Sequence, residues 1–393
     1  MTKGLVRIAI LFGVGCSPPL SHFKPRMLLQ DLDKPIRIKL DEERTYDVTF
    51  AAFSKFPGEM RNAGLRPGKC LVVTDSNVAQ HYRSTMDALL KEDGWEPLIL
   101  TLPAGENTKS PKHLHAIYDA ALAWEIDRQT PMIALGGGVI GDLTGMAAAT
   151  LLRGIPFIQV PTSLIAQVDS ALGGKTGINH EEGKNLIGAF HQPRLVFVDT
   201  TLLYTLPRRE WLSGLGEVIK HALIQDLTFF DWIESELDKI VARDPGVVTD
   251  MVYRAAFIKA GVVSEDELEQ GKRTLLNFGH TFAHALEKAA GYGVFTHGEA
   301  VILGMKAALH MSRRFNRHLD QNRAEAVLNK IPVPPIPASL GIPAVKDAMR
   351  TDKKRDADRL NFVLLSKLGS AYVTADVNES DIDAAWAHAL GRP

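Results

Sequence analysis

The sequence has few cysteines and no long hydrophobic run. Only Cys16 and Cys70 are cysteines among its 393 residues, and two such thiols form neither a disulfide framework nor a cysteine-ligated metal motif. This scarcity favours a reducing compartment, the cytoplasm. No apolar run approaches the roughly 20 residues that a membrane-spanning helix requires. We therefore predict a cytoplasmic protein that does not span a membrane.

An excess of charge of either sign is also missing. The chain carries 45 Lys and Arg against 46 Asp and Glu, a formal net charge of −1. This balance gives no overall attraction for nucleic acid or for an anionic membrane, although it leaves the local distribution of charge open. The 45% hydrophobic and 23% charged content, over a length typical of two domains, predicts a globular protein with a sizeable core.

The first residues imitate a secretory signal only loosely. The stretch "MTKGLVRIAILFGVGCSPPL" combines basic residues, an apolar run and a cysteine, but the apolar run after Arg7 is short. We expect residues 1–34 to form a disordered extension, or translation to begin at Met27.

The periodicity of the sequence changes near Pro207. Before it, apolar runs such as "KCLVVTD", "MIALGGG" and "RLVFVD" alternate with helix-like segments, which predicts a mainly parallel sheet covered by helices. After it, amphipathic stretches such as "EVIKHALIQDLTFFDWIESELDKIVA" predict long helices. We therefore predict a Rossmann-like α/β nucleotide-binding domain over 35–206 and an all-α domain over 207–393.

A glycine-rich turn follows one of the predicted strands. In "MIALGGGVIGDL", Gly136, Gly138 and Gly141 form a G-x-G-x-x-G pattern before a predicted helix, whose free N–H groups suit a pyrophosphate. The acid that usually binds the ribose about 20 residues later is missing. Asp75, at the end of "CLVVTD", is the better candidate, and a simple helix cap is the alternative reading of it.

A second polar segment follows the next predicted strand. Loops rich in glycine and lysine at a strand end can surround an anionic ligand, and the alternative is a solvated loop. The candidates for an anion site in this segment are Asp169, Lys175, Asn179, Lys184 and Asn185, and Arg153, which precedes the strand, could join the same pocket.

Three histidines lie within "GHTFAHALEKAAGYGVFTHGEAV". Their four-residue spacing puts His280 and His284 on one helix face, which suits two ligands of a zinc ion. The glutamate that follows the first histidine in H-E-x-x-H zinc enzymes is absent, and a catalytic zinc needs a third ligand. His297 and Glu217 are candidates for it, whereas hydrogen-bonded core histidines are the alternative.

Taken together, the motifs resemble the 3-dehydroquinate synthase family. The resemblance rests on "PAGENTKS", "GGGVIGDLTGMAAAT", "RGIPFIQVPTSLIAQVDSALGGKTGIN", "GKNLIGAFHQP", "GEVIKHALI", "LNFGHTFAHALE", "HGEAV" and "DKKRD", in the family's order from about residue 45 to 375. It implies a lyase of the shikimate pathway that converts 3-deoxy-D-arabino-heptulosonate 7-phosphate to 3-dehydroquinate and phosphate. Bound NAD would oxidise a ring hydroxyl, and the NADH formed would reduce the ketone again after phosphate elimination.

The resemblance also implies roles for individual residues. Glu217, His280 and His297 would bind a zinc or cobalt ion, His284 would belong to a proton relay beside the substrate, and Asp169 would lie near the substrate hydroxyl at the metal. Further implied substrate contacts are Lys175, Lys220, Lys259, Arg273 and Asn277, with Arg153, Asn185 and Lys353 or Lys354 at the phosphate. The implied NAD contacts are Asp75, Asn77, Glu106, Lys109, Gly137, Gly138, Val139, Asp142, Thr162, Ser163, Lys175 and Lys184.

A homodimer is implied as well, because Arg153 would come from the partner subunit. Two alternatives to this reading of the sequence stay open. Another sugar phosphate cyclase would use the same chemistry with different pocket residues. A metal-dependent polyol dehydrogenase would share the two-domain layout and the glycine turn, but would release its reduced cofactor.

Overall fold

The computed structural model describes residues 34–291, 293–353 and 360–391. Apart from Lys34, the extension predicted for residues 1–34 lies outside the described residues, and so does Lys354. None of the helices in the described ranges combines the length and the apolar character that crossing a membrane demands.

Eleven strands are found in the described residues. They are β1 (Ile36–Ile38), β2 (Tyr46–Phe50), β3 (Lys69–Asp75), β4 (Glu96–Leu102), β5 (Met132–Gly136), β6 (Phe157–Pro161), β7 (Lys175–His180), β8 (Gly183–Phe190), β9 (Leu195–Val198), β10 (Phe362–Lys367) and β11 (Ser370–Thr374). Seven of them form one sheet in the order β1-β2-β9-β6-β5-β3-β4. All its pairings are parallel except that of β1 with β2.

The helices cover this sheet and build the second half of the chain. They are α1 (Phe56–Asn62), α2 (Ser76–Glu92), α3 (Pro111–Ala123), α4 (Gly138–Thr150), α5 (Arg208–Gln225), α6 (Leu227–Val241), α7 (Pro245–Glu265), α8 (His280–Ala290), α9 (His297–Phe315), α10 (Gln321–Asn329), α11 (Ile342–Lys353) and α12 (Glu379–Leu390).

The central strands are apolar along their whole length because both faces of the sheet are covered. Every residue of β5 and of β6 is buried, as expected for strands in the middle of a parallel sheet. Helix α4 lies very close to this layer. A Cβ added to Gly141 would lie 2.7 Å from the side-chain oxygen of Gln159 on β6, so glycine is required there. The glycine turn is thereby held at the carboxyl edge of the sheet.

In the helical half, α5 is the central element. Its residues from Trp211 to Ile224 are all buried, and the surrounding helices pack on every side of it. The same hydrophobic core includes Ile38 and Val198 of the sheet. The α/β and helical halves therefore share one continuous core.

Two hairpins were not predicted from the sequence. The segment interpreted as a glycine- and lysine-rich loop is the antiparallel pair β7–β8, whose strands approach closely at Gly177 and Gly188. The half predicted to be all-α also contains the antiparallel pair β10–β11. Both pairs are short, and a short apolar run gives no periodicity that separates a strand from a buried helix segment.

Candidate active site

Three helices bring one carboxylate and two imidazoles together. Glu217 lies in the middle of α5, while His280 and His297 are the first residues of α8 and α9. The Nε2 atoms of both histidines lie 3.5 Å from Oε1 of Glu217. Spacing alone paired His280 with His284 and named His297 and Glu217 as candidates for the third ligand, whereas the family resemblance implied this group of three, which stays a prediction.

Glycines make the approach of these helices possible. A Cβ on Gly298 of α9 would collide with the backbone carbonyl of Ser213 on α5, and one on Gly304 would collide with the carbonyl of Gly279 just before α8. Gly279 itself has a φ of +80°, which glycine adopts without strain. The contacts fix the starts of α8 and α9 against α5, and with them the two histidines against Glu217.

The three residues fit a divalent metal ion. Glu217 is completely buried, and neither of its oxygens accepts a hydrogen bond, although Lys220 forms an ion pair with it. A buried carboxylate without hydrogen bonds is costly unless a cation completes its surroundings. The Nδ1 atom of His280 lies 3.3 Å from the carbonyl of Phe278, which leaves Nε2 as the ligand atom. One carboxylate and two imidazoles form a usual catalytic zinc set.

The electrostatics keep these ligands in a suitable state. Burial lowers the pKa of His280 well below its ordinary value, helped by the Lys220 ammonium, so this imidazole is neutral. Burial opposes ionisation of Glu217, yet the Lys220 ammonium holds its pKa below the ordinary value. Burial also opposes protonation of His297, but the neighbouring carboxylates of Glu217 and Glu287 raise its pKa to about 9. A metal ion would displace that proton.

Two other groups of side chains in the described residues have metal-like spacing, but each already contains a cation. His284, Glu287 and His297 form one group, and Lys184 lies 3.2 Å from Glu287. Asp169, Glu217 and His221 form the other, and Lys259 donates to Asp169 over 2.6 Å. Glu217 is paired with Lys220 as well, so an ammonium neighbour does not separate the groups. We favour the group of Glu217, His280 and His297 because the Nε2 atoms of both histidines face the same oxygen of a fully buried carboxylate.

Cationic side chains surround Asp169 next to this group. Lys220 and Lys259 are buried, and Lys259 is bonded to Asp169. Burial opposes ionisation of Asp169, but Lys259 and Lys220 keep its pKa well below the ordinary value. Asp169 belongs to the π-helical turn Ala166–Ser170, a local geometry that often marks functional sites. An anionic ligand would meet at least two ammonium groups here.

The carboxylate of Glu269 contacts two of the residues that are predicted to bind the substrate. Glu269 forms an ion pair with Lys175 and accepts a hydrogen bond of 2.9 Å from Asn277. Its φ of +59° is uncommon for a residue other than glycine. Arg273 is buried nearby and bonds to the carbonyl of Gly173. Glu269 carries no signal in the sequence, because it lies in an acidic segment without any motif.

The residues predicted to contact the nucleotide lie largely at the carboxyl edge of the sheet. Gly137 precedes α4 and follows β5, while Thr162 and Ser163 follow β6. Lys109 is buried and contacts both Asp142 and Asn185. Glu106 accepts a hydrogen bond of 2.6 Å from the side-chain amide of Asn179. Gly138 and Val139 lie in the first turn of α4, and Asn77 lies in the first turn of α2.

Asp75 has the alternative role that the sequence analysis left open. Its carboxylate caps α2 by accepting hydrogen bonds from the backbone N–H groups of Asn77 and Val78 at 2.8 and 3.1 Å. A contact of Asp75 with a ribose stays a prediction.

Arg153 and Lys353, which are predicted to contact the phosphate, lie outside the turns at the carboxyl edge of the large sheet. Arg153 is exposed, has a φ of +68°, and forms no ion pair with an acid of the described chain. Lys353 is the last residue of α11.

His284, which is predicted to relay protons beside the substrate, is exposed on α8. Its ring centroid lies 5.6 Å from that of His280.

Comparison with known proteins decides the family. Sequence models described as "3-dehydroquinate synthase N-terminal" and "3-dehydroquinate synthase C-terminal" match residues 99–213 and 214–355. The chain belongs to the 3-dehydroquinate synthase family. The resemblance read from the motifs is thereby confirmed, together with the predicted class of enzyme, a lyase of this type.

Individual relatives agree with this family. The 3-dehydroquinate synthase of Salinibacter ruber is 52% identical over 355 residues, which are 90% of this chain and 97% of that protein. The structure of 2-epi-5-epi-valiolone synthase from Streptomyces hygroscopicus subsp. jinggangensis, with NAD+ and Zn2+ bound, is 28% identical with a TM-score of 0.81, covering 91% of this chain and 100% of that one. A 2-deoxy-scyllo-inosose synthase with carbaglucose-6-phosphate, NAD+ and Co2+ is also 28% identical, with a TM-score of 0.80 over 88% and 98% of the chains. These neighbours confirm the predicted fold class.

Proposed function

We propose that this enzyme converts 3-deoxy-D-arabino-heptulosonate 7-phosphate to 3-dehydroquinate and phosphate, using NAD and a zinc or cobalt ion. The observation that carries the proposal is the convergence of Glu217, His280 and His297 beside the lysines around Asp169. The glycine turn is close to them, since a Cβ on Gly138 would lie 3.0 Å from Oγ of Ser170, the neighbour of Asp169.

The residues of the chain bind, orient and exchange protons in this reaction. When bound, the metal ion would polarise the hydroxyl that is oxidised, and NAD would take up and return its hydride. Lys220 and Lys259 neutralise the substrate's charge inside a buried site, where electrostatic interactions are strong. Asp169, held as a carboxylate, orients the hydroxyl. His284 reaches solvent and relays protons.

The contacts that Glu269 makes favour the heptulosonate phosphate over the substrates of other sugar phosphate cyclases. Lys175 and Asn277, both predicted to bind substrate, already hold a carboxylate. A heptulosonate brings such a group, whereas a simple sugar phosphate does not. The higher identity to a 3-dehydroquinate synthase, 52% against 28% for the two cyclases that make other rings, supports the same choice.

We expect the purified enzyme to release phosphate from the heptulosonate 7-phosphate with only catalytic amounts of NAD and without net NADH, because each hydride is returned. Phosphate release and absorbance at the NADH band are followed together. A heptulose 7-phosphate that lacks the carboxylate is the control and should release little phosphate. Stoichiometric NADH would contradict the proposal and favour a polyol dehydrogenase.

The same proposal includes a homodimer in which Arg153 reaches the partner's phosphate site. Arg153 follows α4, and the hairpin β7–β8 packs beside that helix. Strand β8 exposes large apolar side chains, with Leu186 44% and Phe190 45% exposed. Apolar groups displayed side by side on a strand suit a protein interface. Burial of this strand between two subunits would bring two copies of Arg153 near the shared surface.

Leu186→Glu should weaken the dimer, because a charge without a partner would be buried at the interface. A loss of about 2 kcal/mol or more corresponds to roughly a 30-fold rise in the dimer Kd. Analytical ultracentrifugation over a dilution series measures it. Leu122→Glu is the matched control, since Leu122 is 55% exposed on α3 and should tolerate the charge. Equal Kd values for both variants would reject β8 as the interface.

A further inference from the structure

We infer that Glu287 is a positioning residue that orients His297 and strengthens it as a metal ligand, and that Lys184 moderates this effect from the other half of the chain. The inference rests on the proposed metal centre of Glu217, His280 and His297. It concerns a carboxylate that is not one of the proposed ligands.

The imidazole of His297 lies between two carboxylates. Its Nε2 atom is 3.5 Å from Oε1 of Glu217, and its Nδ1 atom is 3.5 Å from Oε2 of Glu287. A histidine that binds a metal through one nitrogen carries its proton on the other, and a carboxylate that accepts this proton fixes the tautomer and the ring plane. Glu287 is placed to do so. It also makes the ring a stronger electron donor, because its negative charge favours positive charge on the imidazole.

Glu287 is otherwise an unusual residue for its position. It is 6% exposed on α8, among apolar residues of the same helix that form the core. A charged side chain at such a site requires compensation. Its two oxygens face different groups, Oε2 the ring of His297 and Oε1 the ammonium of Lys184 at 3.2 Å. Each oxygen of the Glu287 carboxylate therefore faces one partner, and the charge of Glu287 is compensated from two sides.

Lys184 connects this pair to the nucleotide half. It lies on β8, whereas Glu287 and His297 belong to α8 and α9. The ammonium draws electron density from Glu287 and so weakens the effect of Glu287 on the imidazole. Removal of the ammonium leaves the full charge of Glu287 directed at His297. The two side chains therefore act on metal affinity with opposite signs.

The test is a metal titration of the full-length protein against a chromogenic chelator, with Zn2+ as the probe. Glu287→Gln keeps the shape but removes the charge and should weaken zinc binding about tenfold, and Glu287→Ala more, up to about a hundredfold. Lys184→Ala should bind zinc more tightly than the wild type. Glu287→Gln with an affinity within twofold of the wild type, or Lys184→Ala with an affinity no higher than that of the wild type, would overturn the inference.

Two controls separate this role from others. Asp381→Asn changes an equally buried carboxylate, which lies on α12, is 6% exposed and forms a 2.8 Å ion pair with Arg314. This variant should lower thermal stability without changing the zinc affinity. With saturating Co2+, Glu287→Gln should keep the visible spectrum of the wild type, because the ligands are unchanged. A changed spectrum would make Glu287 a ligand and contradict the inference. Failure of the wild type itself to bind one ion would instead contradict the proposed metal centre.

Discussion

His280→Ala is expected to lose the divalent ion and the activity together. Removal of one imidazole leaves Glu217 and His297, too few ligands for a stable catalytic site. Because a bound metal contributes several kcal/mol to the transition state, kcat/KM should fall roughly a thousandfold or more. Metal content after dialysis, measured by mass spectrometry on the same samples as phosphate release, checks both parts of the prediction.

The matched control is His310→Ala. His310 lies on α9, the helix that begins with His297. Its ring stacks on that of His388, with centroids 4.5 Å apart, and not on the rings of the three ligands. This variant should retain its metal and most of its activity. Full metal occupancy in His280→Ala would reject the proposed ligands and favour the neighbouring group that contains His284, Glu287 and His297.

Arg153→Ala is expected to impair substrate binding and leave NAD binding unchanged. A guanidinium contributes about 1.5–3 kcal/mol through hydrogen bonds to a charged phosphate, so KM should rise roughly 10- to 100-fold. Steady-state kinetics and calorimetric titration with NAD provide the two measurements. Arg128→Ala, which removes another exposed arginine of the same half, should change neither. An unchanged KM in Arg153→Ala would reject its role at the phosphate.

A mixture of Arg153→Ala and His280→Ala, assayed at a substrate concentration well below the KM of Arg153→Ala, tests whether Arg153 acts across the dimer. If it does, a mixed dimer of Arg153→Ala and His280→Ala contains one intact site, which combines the metal ligands of one subunit with the arginine of the other. Random assortment then restores about a quarter of the wild-type activity. If Arg153 acts within its own subunit, mixing restores none. The outcome therefore distinguishes the two arrangements without any structure of the dimer.

The sheet was largely predictable from local patterns. Strands such as β3, β5 and β9 are compact apolar runs, and the glycine turn after β5 carries its own spacing. The hairpins β7–β8 and β10–β11 escaped prediction because their pairing depends on contacts between strands. At Gly188, for example, the close approach to Thr176 is visible only when both strands are in place.

The functional site was partly predictable. Helical spacing placed His280 and His284 on one face, and their rings are neighbours on α8, with centroids 5.6 Å apart. Spacing alone could not choose between His284 and His297 as a partner for His280, and the family resemblance made that choice. Glu269 carried no signal in the sequence, because a carboxylate in an acidic segment resembles any solvated residue. The task of Glu287 was equally invisible before its contacts with His297 and Lys184 were known.

The sequence by itself determined most strands of the large sheet, the change to long helices near Pro207, the glycine turn, and through its motifs the family and the chemistry. These features depend on residues that are close in the chain, whose periodicity and spacing are directly readable. Only the tertiary structure decided how Glu217, His280 and His297 meet, and which ammonium group pairs with each buried carboxylate. The physical reason is that helix packing at glycines such as Gly298 and Gly304 sets these distances, and such packing joins residues that no local pattern connects.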